Sequence, residues 1–184
     1  MAHYLFDEDE YRLDRSEELP AVLSLLGYRP EDITRVVLTH LHEDHVRGLA
    51  YLPGTEVVIS RDEWDNRDWK RFGFVPMVYE PSLQPARSVT LADFDSGPFE
   101  NFPASHGLTA DGAVKLLPIP GHPPGHSCVV VHLGDHGLLI AGDCLYTLRH
   151  LATATSRPSA PRSESSSTLR PSVGSMSSEQ VCPS

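Results

Sequence analysis

The first part of the chain alternates between two spacings of apolar residues. Leu19, Val22, Leu23 and Leu26 fall three and four apart, which predicts a helix with one apolar face that packs on something. Ser16 can cap that helix, Glu17 and Glu18 suit its first turn, and Gly27 can end it. Pro30-Glu31-Asp32 reads as a turn or a short helical start. The β-branched run Arg35-Val36-Val37-Leu38 predicts a strand over 34–39, and Val46, Leu49, Ala50 and Leu52 predict a short helix from about Asp44. Glu56-Val57-Val58-Ile59 reads as a short buried strand. Asp62 through Arg71 reads as helical, with Trp64 and Trp69 as packing anchors.

From Phe72 to Gly112 the pattern is lost, and Pro76, Pro81, Pro85, Pro98 and Pro103 interrupt the chain. A connection this long inside a compact domain is often an active-site cover. Strand pairing is expected within it only around Val89-Thr90-Leu91. Regular structure returns at 113–119. A Pro/Gly loop follows, Pro120-Gly121-His122-Pro123-Pro124-Gly125-His126, and then a strand over 128–133. Gly134-Asp135-His136-Gly137 predicts a hairpin turn, and the return strand 138–141 runs into Gly142-Asp143. Helices and strands are mixed, so the class is α/β or α+β. From Ala152 to Ser184 the chain is mostly Ser, Pro, Thr and Arg. Such a stretch cannot bury enough surface to offset its ordering entropy. The expected organisation is one domain over 1–151 and a disordered tail over 152–184.

Composition narrows the partners. The chain has 184 residues, enough for one domain with a core. A formal charge of −10 argues against a nucleic-acid surface and against an anionic membrane. No apolar stretch approaches the roughly 18 residues of a membrane-spanning helix, and the acidic start lacks a signal-peptide core. Cys128, Cys144 and Cys182 make no disulfide framework, which favours a reducing, cytoplasmic setting.

The chemistry gathers where the strand 34–39 hands over to a helix. The six residues His40-Leu41-His42-Glu43-Asp44-His45 hold three imidazoles and two carboxylates. Neutral imidazole is a common ligand for zinc and related metals. Residues two apart in an extended segment point the same way, so His40 and His42 can grip one ion. Asp44 and His45 follow as the chain turns and aim at a second point. Glu43 is expected to face solvent, and the cluster to converge without being buried in a core. The helical pattern H-E-x-x-H does not fit, because His42 and His45 are three apart. A single ion held by histidines alone, or a solvated polar loop, are the plainer readings. A second set of donors, the histidines His122 and His126 of the Pro/Gly loop and Asp143 at a strand end, lies where it could meet the first. His106, His132 and His136 are read as structural or solvated.

The order His40-x-His42-x-Asp44-His45, then Pro120-Gly121-His122, then Gly142-Asp143, resembles the metallo-β-lactamase fold superfamily over about residues 16–151. That resemblance implies a partial αββα sandwich of two sheets between helices. It implies two zinc ions, the first held by His40, His42 and His122, the second by Asp44 and His45, with Asp143 bridging. His126 would then stand behind the ligands. The spacing Asp143-Cys144-Leu145-Tyr146, with the stretch Leu25 to Ile33, resembles the N-acyl homoserine lactonase subgroup. Metal-assisted opening of a lactone is then implied, with Tyr146 contacting the substrate carbonyl and Asp44 carrying a proton to the leaving oxygen. The region 72–112 would offer an apolar wall, and Cys144 is expected to be a small buried thiol. A thioester hydrolase resembling glyoxalase II, and a metal-binding remnant without turnover, are the competing readings.

Two departures bear on the second ion. Superfamily members open with a pair of strands carrying an acidic strand end, whereas only a short acidic segment precedes Ser16 here. They also supply a late histidine to the second zinc. Here the only later histidine is His150, seven residues past Asp143 and too close to return from another strand. The expectation is a domain trimmed at both ends, with an incomplete second metal site and exposed sheet edges.

Overall fold

The computed structural model describes residues 14–68, 70–71, 75–76, 78 and 83–145. They divide after Asp93 into two compact units. The expected tail over 152–184 lies outside the described residues, as do Trp69, Tyr146, His150 and Cys182. Among the described residues no helix is long and apolar enough to cross a membrane.

The first unit opens on a 3-10 turn, Arg15–Glu17, capped by the Asp14 carboxylate. Helix α1 follows at Leu19–Leu25. The expected cap at Ser16 is therefore corrected. Pro20 can occupy only the first turn of a helix, so the helix starts at Leu19 with Glu18 as its cap residue. Gly27 ends it as expected, at φ 83°, where its N–H meets the Ser24 carbonyl and that of Tyr28 meets Leu23. The anticipated apolar face is covered only in part. Leu19 and Leu23 are half-buried, but Val22 is exposed and Leu26 is 67% exposed, beside Leu25 at 83%.

Three parallel strands form the sheet of this unit, in the order β1 (Arg35–Val37), β2 (Glu56–Ser60), β5 (Ser88–Ala92). Parallel pairing requires crossovers. The crossover from β1 to β2 carries helix α2 (Glu43–Val46) and a 3-10 turn (Arg47–Tyr51). The crossover from β2 to β5 begins with helix α3 (Arg61–Asp65). Central strand β2 is buried on both sides, as strands of parallel sheets are. Val57 and Ile59 join Leu38, Leu41, Val46 and Leu49 in one apolar cluster.

The helix expected over 62–71 is shorter in the structure. It ends at Asp65, where the Asn66 side chain takes the Asp62 carbonyl, and Lys70–Arg71 instead forms β3, paired antiparallel with β4 (Val75–Pro76). Asn competes for backbone groups in this way and so favours helix ends. Trp64 packs against the apolar cluster, as expected of an anchor. The pairing expected around Val89-Thr90-Leu91 is present as β5, so the irregular region is interrupted by a regular strand.

The second unit is antiparallel. Its sheet runs β6 (His106–Gly107), β7 (Val114–Pro118), β8 (Ser127–His132), β9 (Gly137–Ile140). The hairpin between β8 and β9 turns at Gly134–His136, closed by Leu133 N–H on the His136 carbonyl. Phe102, Leu117, Ile119, Cys128 and Cys144 form its buried cluster. Strand β9 is exposed along its whole length, Leu138, Leu139 and Ile140 included.

Candidate metal centre

In the first unit the donors follow the carboxyl end of β1, where open α/β sheets characteristically place their sites. His42 is the last extended residue, at φ −62° and ψ 149°, and caps α2 by position. Its backbone bridges that of Val78. Leu41 is fully buried in the apolar cluster. Its side chain faces opposite to its neighbours, so His40 and His42 share the other face. Their ring centroids are 4.5 Å apart, and each offers a ring nitrogen within 4.8 Å of the other's.

Both histidines are buried, which corrects the expectation of a cluster outside the core. The apolar Leu41 between them carries the loop inward. Thr39 Oγ1 stands 3.1 Å from His40 Nδ1. A proton on Nδ1 shared with that hydroxyl leaves the Nε2 lone pair for a cation. The His45 ring lies 4.1 Å from that of His40, and its Nε2 is 3.5 Å from the Asp44 carboxylate. Asp44 itself is exposed.

Glu43 does not face solvent. It is buried, and its carboxylate takes Arg47 Nε at 3.0 Å and the guanidinium NH2 at 2.8 Å, one helical turn on. That guanidinium compensates the buried charge. Glu43 thus serves the short helix.

In the second unit the loop between β7 and β8 is closed by Ile119 N–H on the His126 carbonyl, and by Gly121 and His126 N–H groups on the Pro123 carbonyl. His122 projects from it, half-buried. Asp143 lies in the 3-10 turn Gly142–Cys144 after β9, entered through Gly142 at φ 57°. The two meet, with His122 Nε2 3.4 Å from an Asp143 carboxylate oxygen. His126 is buried, and its Nε2 accepts the Asp143 N–H at 3.1 Å. It therefore stands behind the donor, as the resemblance implied. Cys144 is buried, with its thiol on the Ala141 carbonyl at 2.9 Å. Of the sites named in advance, Tyr146 lies outside the described residues.

One contributor was missed. The buried Glu63 carboxylate on α3 accepts the N–H of Leu41 at 2.9 Å. No local spacing announces a bond between residues this far apart in sequence. The donor set of each unit, imidazole pairs and an imidazole with a carboxylate, suits a divalent ion of the zinc type.

A family model described as the metallo-beta-lactamase superfamily matches residues 7–173. A probable metallo-hydrolase of Mycobacterium bovis is 29% identical over 144 residues, covering 72% of this chain and 43% of that protein. An N-acyl homoserine lactonase of Bacillus cereus is 26% identical over 137 residues, covering 74% of this chain and 48% of its own. The chain thus spans about half the length of the curated relatives it matches. Among solved structures, a dizinc quorum-quenching lactonase in complex with its product shares the fold. It has a TM-score of 0.51 at 20% identity, over 70% of this chain and 47% of that one.

Proposed function

The chain belongs to the metallo-beta-lactamase superfamily, and from that premise we propose that it is a zinc-dependent hydrolase that opens the ring of a small lactone of the acyl homoserine type. By the family motif, His40, His42 and His122 would hold one ion, Asp44 and His45 a second, and Asp143 both. Ions so held would supply a deprotonated water near neutral pH and polarise a carbonyl oxygen. The chain's own residues do the rest. The buried imidazole pair fixes the first ion's place, and Thr39 beside His40 orients that ring. His126 holds the Asp143 backbone. Asp44, exposed and beside His45, carries the proton to the leaving oxygen, and Tyr146 contacts the substrate carbonyl.

The observation that carries this reading is the paired donors within each unit, His40 with His42 and His122 with Asp143. The lactone class rests on the relatives' names and on the Asp143-to-Tyr146 spacing. The test is metal analysis of the purified chain with hydrolysis assays on acyl homoserine lactones and, in parallel, on thioesters. Bound zinc with lactone opening is expected. Thioester turnover alone, or zinc without turnover, retires the lactone reading, and a chain that takes up no metal retires the whole.

A further inference from the structure

We propose that Glu63 is a positioning residue for the metal-binding loop, acting through the backbone of Leu41 to aim His40 and His42. This rests on the metal reading above. Glu63 is only 2% exposed, an expensive place for a carboxylate. It is brought there by design of the neighbouring strand's exit. β2 ends at Ser60, whose hydroxyl caps α3 by accepting the Glu63 N–H at 3.0 Å. From that first turn the carboxylate reaches the end of β1 and takes the Leu41 N–H at 2.9 Å. A buried amide left without that acceptor costs more than the bond itself contributes.

The amide it holds is the peptide joining His40 to Leu41, so its plane sets the direction in which the His40 side chain leaves the backbone and, with Leu41 seated in the core, the course of the chain into His42. Three restraints then converge on the loop. The Leu41 side chain is seated in the apolar cluster, the His42 backbone is bridged to Val78, and the Leu41 N–H is held by Glu63. The first two fix position. The third fixes rotation of the peptide plane, which decides whether the two imidazoles point at one place. Residues that orient ligands from behind in this way cost about 10–100-fold in metal affinity when lost.

The experiment uses the full chain as wild type, Glu63→Gln and Glu63→Leu. Gln keeps an acceptor oxygen, and Leu keeps the volume without one. Two quantities are read: amide hydrogen exchange in the metal-free protein, with β2 amides as the folding control, and the zinc dissociation constant, supported by the spectrum of the cobalt-loaded protein. Glu63→Leu is expected to speed Leu41 exchange about tenfold or more relative to β2, the loss of one buried hydrogen bond. It should weaken zinc binding about 10–100-fold and shift the cobalt spectrum. Glu63→Gln is expected to keep Leu41 protected and zinc binding close to wild type. Unchanged Leu41 exchange in Glu63→Leu, or equal loss of zinc in both variants while Leu41 stays protected in Glu63→Gln, overturns the role of Glu63 alone. A wild-type chain that binds no zinc overturns the metal reading and this role together.

Discussion

The first unit sets its donors in a buried loop beyond a parallel strand, with Leu41 anchored between two imidazoles and a carboxylate on its amide. The second unit sets His122 and Asp143 on turns at the ends of an antiparallel sheet, both half-buried, with His126 on the Asp143 backbone. One donor pair is aimed by core packing and the other by local backbone bonds. The same contrast runs through the sheets. β2 is closed on both faces, whereas β9 leaves its leucines and isoleucine exposed. Precision bought by burial makes a site sensitive to any change in the core, while a turn-borne donor answers mainly to its own few bonds.

Removing a donor should have the largest effect on either side. His42→Ala and His122→Ala are each expected to weaken zinc binding by more than about 100-fold, beyond the loss caused by a merely supporting residue. Isothermal titration with zinc measures it. A His42→Ala chain that binds like wild type would remove His42 from the proposed ligands, and the equivalent result would remove His122.

The two sheets are compared by matched truncations. Ile59→Ala in β2, at a fully buried position, is expected to cost about 2–5 kcal/mol. Ile140→Ala in β9, 48% exposed, should stay within about 0.5 kcal/mol. Urea unfolding of both variants decides it. Equal losses would mean that β9 is covered in solution and that the contrast between the units fails there.

A smaller effect probes how the second donor is held. His126→Leu deletes the acceptor of the Asp143 N–H and should cost about 1–3 kcal/mol in the same unfolding assay. If stability is unchanged, the Asp143 turn keeps its place without that imidazole.

These elements differ in how openly the sequence announces them. β1, β2, β8 and the hairpin follow from β-branched runs and glycine turns, both of them local signals. The pairing of His40 with His42 was equally legible, since it needs only the two-residue period of a strand. Burial of the same loop was not, because it depends on Leu41 finding a cluster built from Val57, Ile59 and Leu49. Glu43 was misplaced for a related reason. Its i,i+4 partner Arg47 is visible in the sequence, but a solvated charge and a paired buried one share that spacing. Ser60-Arg61-Asp62-Glu63 carries the letters of a capping box, and Ser60 does cap α3, yet Glu63 reaches across to another strand's end. At the early end of α3 the Asn66 side chain joins its own backbone N–H on the Asp62 carbonyl, a local bond that apolar periodicity does not register.

The least of the expected effects sets a carboxylate that spans strands against one that closes a turn. Glu56 on β2 accepts the Thr90 hydroxyl from β5 at 2.6 Å and Arg35 from β1 at 2.8 Å. Those two bonds, the hydroxyl first, hold its carboxyl below the ordinary 4.5, against a smaller opposing push from desolvation. Asp111 in the second unit is likewise held low, by the Thr109 hydroxyl first and the Ala113 N–H next. A group whose folded value is depressed adds stability that is present above its ordinary value and lost as pH falls through the folded one. Thr90→Val removes the leading cause at Glu56, so its titration should move up toward 4.5 and the acid-side loss of stability should flatten. Thr109→Val should raise Asp111 in the same direction. NMR titration of each carboxyl reads the shifts, and urea midpoints on either side of this range read their consequence. Because Glu56 ties three strands, its variant should slow the acid-side change for the first unit's β2 amides, while Thr109→Val should register only around β7. Acid-side curves that are the same for both variants would show that the cross-strand carboxylate is worth no more than a turn, and the distinction between core-built and turn-built halves would lose its electrostatic part.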